Sequence, residues 1–124
     1  MMKTKAAVLH QIGGQLNIEE VNIQAPKAGQ LLVRILASGV CHTDETARNG
    51  LLLGADFAPA VLGHEGAGVV EQVGEGVTEF AVGDHVMITY ASCGECEFCK
   101  KGQTYNCVNF VPLNFGGVQK DGSY

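Results

Sequence analysis

The sequence predicts a mainly β domain whose longer strands belong to a closed or nearly closed barrel. Seventeen glycines stand against three prolines, the punctuation of short strands and tight turns. Valine, isoleucine and leucine fill the stretches between those turns, and only one short segment carries helix caps. The 124 residues, 46% of them hydrophobic, suffice for one core that buries roughly two thirds of the unfolded surface, and two domains would not fit.

Lys5 to His10 reads as a first strand and Gly13-Gly14 as its turn. Leu16 to Ile23 reads as a second strand, with Leu16 and Ile18 alternating in one phase and Val21 and Ile23 in the other, so a bulge is expected at Glu19-Glu20. Pro26 to Gly29 breaks the chain. The long apolar run QLLVRILASGV, residues 30 to 40, predicts a third strand, and Val61 to Val73 predicts another whose three glycines let backbones approach closely. Thr43 to Asn49 is the one short helix, capped by Thr43 or Asp44 and ended by Gly50. His10 and His85 are single histidines near a strand end and a turn, expected to be structural or exposed. Repeats, low-complexity tracts and linkers are absent from the sequence.

Charge and composition exclude several classes of function. A formal net charge of -5, with Lys and Arg scattered singly, offers no stripe for holding phosphate backbones, so nucleic acid is not an expected partner. The N-terminal stretch has only four consecutive apolar residues, Ala6 to Leu9, too few for a signal peptide or a membrane span. A cytoplasmic protein is expected, and there cysteines serve as thiols or metal ligands.

Four of the five cysteines, Cys93, Cys96, Cys99 and Cys107, fall in CGECEFCKKGQTYNC. That spacing folds the chain back so that four sulfurs converge, as a closed tetrahedral zinc site requires. Disulfide pairing is the plainer alternative, and an odd number of cysteines fits it poorly. An iron–sulfur cluster is the sharper one, although the usual closing Cys-Pro is replaced here by Cys107-Val108. A zinc in this loop, about residues 91 to 110, would be structural, tying down a segment too polar to fold by burial: Glu95, Glu97, Lys100, Lys101 and Gln103. Tyr90, Phe98, Tyr105, Phe110 and Phe115 cluster around the loop and read as packing.

Cys41 stands apart. It opens CHTDETARNG at a predicted strand end, and His64 follows in VLGHEGAGVV, flanked by Gly63 and Glu65. A buried cysteine and a turn histidine would explain both residues. Thr43, Asp44 and Glu65 add polar groups to otherwise apolar segments, which favours a metal site with an open position. Asp44 would accept the second ring proton of His64. No third ligand is evident in the sequence.

Gly63-His64-Glu65, followed by Gly68, Gly74 and Val77, resembles the signature of zinc-containing alcohol dehydrogenases of the medium-chain dehydrogenase superfamily. Cys41-His42-Thr43-Asp44 and the four-cysteine loop resemble two further segments of that family in the same order, and the likeness runs from the first strand to about Phe115. The resemblance implies a partial GroES-like β-barrel, the N-terminal part of a catalytic domain. It implies Cys41 and His64 as catalytic zinc ligands and Cys93, Cys96, Cys99 and Cys107 as structural zinc ligands. Thr43 would receive the alcohol proton, Asp44 would orient His64, Glu65 would lie behind the metal, and His42 would meet the pyrophosphate of NAD(P). The stretches ITYASCGECEFC and VNFVPLNFGG look most like the aryl or benzyl alcohol dehydrogenase branch. The partners implied are a small alcohol and its aldehyde, with neither nucleic acid nor membrane involved, and the full-length enzyme would be a homo-oligomer.

The sequence also departs from the family. The third catalytic ligand, a downstream cysteine, is missing, and Thr46 stands where many relatives carry a relay histidine. No strand followed by GxGxxG and an acidic residue about twenty positions later occurs, so a Rossmann domain is not encoded in these residues. The expectation is a fragment of a dehydrogenase, inactive alone, with QLLVRILASGV partly uncovered and prone to self-association. A zinc-stabilised binding module and an iron–sulfur electron carrier are the alternative functions.

Overall fold

The computed structural model describes residues 2–52 and 57–115. Gly116 and Gly117, which close the VNFVPLNFGG stretch, lie outside the described residues. Among the described residues, six strands and three short α-helices follow one another as β1 (Met2–Leu9), β2 (Leu16–Ile23), β3 (Leu31–Ser38), α1 (His42–Arg48), β4 (Ala60–Val61), β5 (Gly66–Val73), β6 (His85–Ile88), α2 (Glu97–Lys100) and α3 (Phe110–Phe115), with a 3-10 turn at Thr104–Asn106 before α3. The strands form two antiparallel three-stranded sheets, β2-β1-β4 and β3-β5-β6. This is the mainly β architecture that the glycine-punctuated sequence predicts.

Leu9 and Val70 are fully buried, and Val8 and Leu32 join them in the core. Each such aliphatic side chain stabilises the fold by about 1.5–3 kcal/mol relative to exposure. Much apolar surface stays outside: Ile35 and Leu36 in the run QLLVRILASGV are 48% and 58% exposed, and Met87 on the edge strand β6 is 82% exposed. None of the helices in the described residues is long and apolar enough to cross a membrane.

Three expectations need correction. Strand β2 pairs with β1 in unbroken register from Met2↔Ile23 to Leu9↔Leu16, so no bulge exists at Glu19-Glu20. The irregularities lie in the β3–β5 pairing instead, between Leu32 and Val33 and between Ile35 and Ala37. Val61 to Val73 is two strands rather than one, because the chain leaves the β2-β1-β4 sheet at Leu62 and enters the β3-β5-β6 sheet at Gly66. His85 begins β6 opposite Val69 and is not a turn residue. His10, by contrast, lies at the end of β1 in an exposed 2.5 Å pair with Glu19.

The glycines of β5 do bring backbones together. A Cβ built on Gly68 would overlap the carbonyl oxygen of Arg34 and lie 2.8 Å from Cγ1 of Val33. Gly68→Val is therefore expected to push β3 off β5 and to destabilise the domain by at least about 1–3 kcal/mol, measured as a lowered denaturant midpoint. An unchanged midpoint would mean that the two strands separate at no cost.

Helix α1 is fastened to the β1–β2 turn at its far end. The Gly13 N–H donates to the Arg48 carbonyl at 2.7 Å, and Nη1 of Arg48 donates to the carbonyls of Gly14 at 2.7 Å and Gly13 at 3.2 Å. Gly50, with φ of 73°, ends the helix as expected, its N–H donating to the Ala47 carbonyl. Arg48 and then Asn49 also hold the Glu45 carboxyl down to about 2.

Candidate metal centres

Strand register gathers the candidate residues at one end of the β3-β5-β6 sheet. Ser38, the last residue of β3, pairs with Gly66, the first of β5, and Gly66 also pairs with Ile88, the last of β6. The residues just beyond those ends are Cys41, His64 and Tyr90, which must therefore meet.

Cys41 has extended backbone, with φ of −124° and ψ of 177°, and is itself the N-cap of α1. Its Sγ accepts from the Thr43 N–H at 3.3 Å, and Oδ2 of Asp44 accepts from the Cys41 N–H at 3.0 Å, closing a capping box. The expected cap at Thr43 or Asp44 is thus corrected: Asp44 is the reciprocal member and the sulfur caps the helix. Nε2 of His64 lies 3.5 Å from Sγ of Cys41, and Nδ1 lies 3.4 Å from Oδ1 of Asp44. Oε1 of Glu65 stands 3.7 Å from the same Nε2. The Asp44 side chain is 13% exposed and that of His64 25%. A single ion bound tetrahedrally by sulfur at 2.3 Å and imidazole nitrogen at about 2.05 Å sets those two atoms about 3.6 Å apart, so the observed pair fits zinc.

The Tyr90 ring is stacked on that of His64, with centroids 5.3 Å apart and planes inclined by 11°. Phe110 and Phe115 tilt against Tyr90 at 5.2 and 6.2 Å. Sequence reasoning placed these aromatics around the cysteine loop and missed the contact of Tyr90 with His64. No spacing in the sequence signals it, because the contact depends on the register of β5 and β6. Of the other predicted site residues, His42 is exposed at the first position of α1, and Thr43 lies beside Cys41 through its backbone. The hydroxyl of Thr46 donates to the His42 carbonyl at 2.9 Å.

The four-cysteine loop leaves β6 and turns back through α2. Sγ of Cys93 accepts the N–H groups of Glu95 at 3.4 Å and Cys96 at 3.3 Å. Sγ of Cys96 accepts that of Cys99 at 3.5 Å, and Sγ of Cys107 accepts that of Cys93 at 3.3 Å. The N–H groups of Glu95 and then Cys96 bring the Cys93 thiol down to about 6, and the N–H of Cys99 lowers Cys96. Burial pushes the Cys99 thiol up to about 11. Sulfurs so close cannot all ionise without a cation between them.

No disulfide joins the cysteines, and all four sulfurs lie within 4.8 Å of one another, with Cys93 and Cys99 at 4.0 Å. Zinc at 2.3 Å from four sulfurs would hold them about 3.8 Å apart, a close fit for one ion and a poor one for a cluster of several irons. The neck of the loop is clipped by Asn114, whose Oδ1 accepts from the Ala91 N–H at 2.7 Å. Its Nδ2 donates to the carbonyls of Ala91 at 2.9 Å and Phe110 at 2.8 Å.

Residues 27–124 match the family model of the alcohol dehydrogenase GroES-like domain. The chain belongs to that family. Among curated relatives, this GroES-like domain is 47% identical over 119 residues to the geraniol dehydrogenase of Castellaniella defragrans, covering 96% of this chain and 31% of that protein. Its fold matches a crystal structure of an alcohol dehydrogenase zinc-binding domain protein from Burkholderia ambifaria with a TM-score of 0.91 at 46% identity, covering 98% of this chain and 32% of that one. The benzyl alcohol dehydrogenase of Acinetobacter calcoaceticus matches with a TM-score of 0.90 at 36% identity, covering 100% and 34%. The GroES-like domain thus spans about a third of the length of these relatives. They place it among the zinc-containing alcohol dehydrogenases of the medium-chain superfamily, as the cysteine spacing and the Gly63-His64-Glu65 signature lead one to expect.

Proposed function

We propose that residues 1–124 are the N-terminal part of the catalytic domain of a zinc-dependent alcohol dehydrogenase. Its reaction interconverts a primary alcohol and the corresponding aldehyde with NAD or NADP. The reading rests on one observation above all: Nε2 of His64 faces Sγ of Cys41 at 3.5 Å while Asp44 stands at the opposite ring nitrogen. Zinc held there would lower the pKa of an alcohol hydroxyl, and a nicotinamide would take up the hydride.

The chain's own residues divide the remaining work. The Asp44 carboxylate, 3.4 Å from Nδ1, serves as hydrogen-bond acceptor for the Nδ1–H and leaves the Nε2 lone pair turned toward Cys41. Thr43 takes the alcohol proton on its hydroxyl. Thr46 spends its own hydroxyl on the His42 carbonyl, so the proton passes from Thr43 to water. Glu65 sets negative charge beside His64, and exposed His42 contacts the cofactor pyrophosphate. Dinucleotide binding otherwise belongs to chain outside these residues, and the 124 residues alone turn over no alcohol. The Tyr90 ring stacked on His64, with Phe110 and Phe115 behind it, suits an aromatic alcohol, in keeping with the likeness to a benzyl alcohol dehydrogenase. Cys93, Cys96, Cys99 and Cys107 hold a structural zinc in a lobe of about residues 91 to 110.

Cobalt titration tests the reading. A chain whose cysteine loop is already loaded with zinc is expected to take up about one further equivalent of Co²⁺, seen by isothermal titration and as a thiolate absorption band. The Cys41→Ser/His64→Ala double variant should lose that equivalent and keep the loop zinc. Equal cobalt uptake by the two proteins would overturn the assignment, and iron in place of zinc on elemental analysis would favour an electron carrier.

A further inference from the structure

Gly39 lies between β3 and Cys41, and its N–H donates to the Glu65 carbonyl at 2.8 Å. It is not among the glycines with positive φ, so the backbone there is open to any L-residue. Space, not conformation, excludes a side chain. A Cβ built on Gly39 would run into Oε2 of Glu65 and stand 3.1 Å from that residue's Cβ and Cδ. The other carboxylate oxygen, Oε1, is the atom 3.7 Å from Nε2 of His64.

We propose that Gly39 is a positioning residue: its bare Cα leaves the room in which the Glu65 carboxylate is held beside His64 and Cys41. The consequence for metal binding rests on the reading of Cys41 and His64 as ligands, whereas the packing of Glu65 on Gly39 does not. An alanine at 39 keeps the N–H that bonds the Glu65 carbonyl, and the overlapping atom is the free end of a flexible side chain. The fold should tolerate the change, with a few tenths of an ångström of give at the Glu65 Cβ, while the carboxylate swings away.

The test uses the 124-residue chain with zinc in its cysteine loop, as wild type, Gly39→Ala, Glu65→Ala and the double variant. In wild-type NMR spectra, nuclear Overhauser contacts are expected from the Glu65 γ-protons to the Gly39 α-protons and the His64 ring. Gly39→Ala should lose the ring contact at an unchanged thermal midpoint. With Co²⁺ as the probe, Gly39→Ala and Glu65→Ala should each weaken the second site by about tenfold or more, the range expected for groups that support a metal ligand. The double variant should then be no weaker than Glu65→Ala alone, because both changes remove the same carboxylate. A ring contact that survives in Gly39→Ala, or cobalt losses that simply add, would overturn the proposal. Absence of a second cobalt in wild type would instead remove the metal reading, and the NMR comparison would still decide the role of Gly39.

Discussion

Replacing Cys107 with serine is expected to strip the loop of its zinc while the two sheets remain folded. Cys107 is 5% exposed, and its sulfur both receives the Cys93 N–H and completes the set of four. Structural zinc sites bind with apparent free energies of about 10–16 kcal/mol, so one ligand in four carries about 2.5–4 kcal/mol, or roughly two to three powers of ten in affinity. Apart from local backbone hydrogen bonds and the Asn114 clip at its neck, little else orders this segment. Helix α2 has four residues, far below the length at which a helix holds itself together, and Glu95, Glu97 and Lys101 contribute charge rather than core. In chelator competition the wild-type chain should hold about one zinc where Cys107→Ser holds almost none. Amide signals of β1 to β5 should keep their dispersion in both. Equal metal retention would show that three sulfurs suffice, and collapse of the strands would show that the loop is part of the main folding unit.

Asp44→Ala should have the second largest effect, because one carboxylate serves two elements. Oδ2 accepts the N–H of the N-cap residue Cys41, and Oδ1 faces Nδ1 of His64. Loss of the reciprocal capping-box bond costs about 1 kcal/mol of stability, while the Cys41 sulfur still caps the helix. Loss of the partner on Nδ1 frees the imidazole to rotate and makes Nε2 a poorer donor to metal, which lowers affinity by about 10- to 100-fold. Asp44→Asn separates the two roles: its amide oxygen still accepts from Cys41, but its charge is gone. The expected pattern is a lowered denaturation midpoint for alanine only and weakened cobalt binding for both. Cobalt affinity unchanged in both variants would remove Asp44 from the metal site.

The sequence was most legible where burial or chemistry dictates pattern. The β2 boundaries, the glycine stop of α1 and the convergence of four cysteines all follow from residue type and spacing. The Glu19-Glu20 bulge misled because β2 is an edge strand with no buried residue, so a change of phase in its apolar residues moves nothing into or out of a core. The real irregularities sit in β3 and β5, where close-packed backbones decide and side-chain alternation is silent. Strand β6 and helices α2 and α3 escaped notice because four to six residues carry too little periodicity. Pro112 also argues against a helix, yet it lies in the first turn of α3, where its missing N–H has no partner to lose. The Tyr90–His64 stack joins residues of different segments, a contact that arises only once the ends of β5 and β6 are in register.

The amide of Asn114 has a consequence for kinetics. By bonding both backbone groups of Ala91 it fastens together the two ends of the cysteine loop with no contribution from any metal. A loop closed at its neck has already met its closure entropy, so its thiols stay at high effective concentration after an ion departs. Zinc exchange then becomes a local opening and recapture within a tethered hairpin, proceeding while the strands around it remain in place.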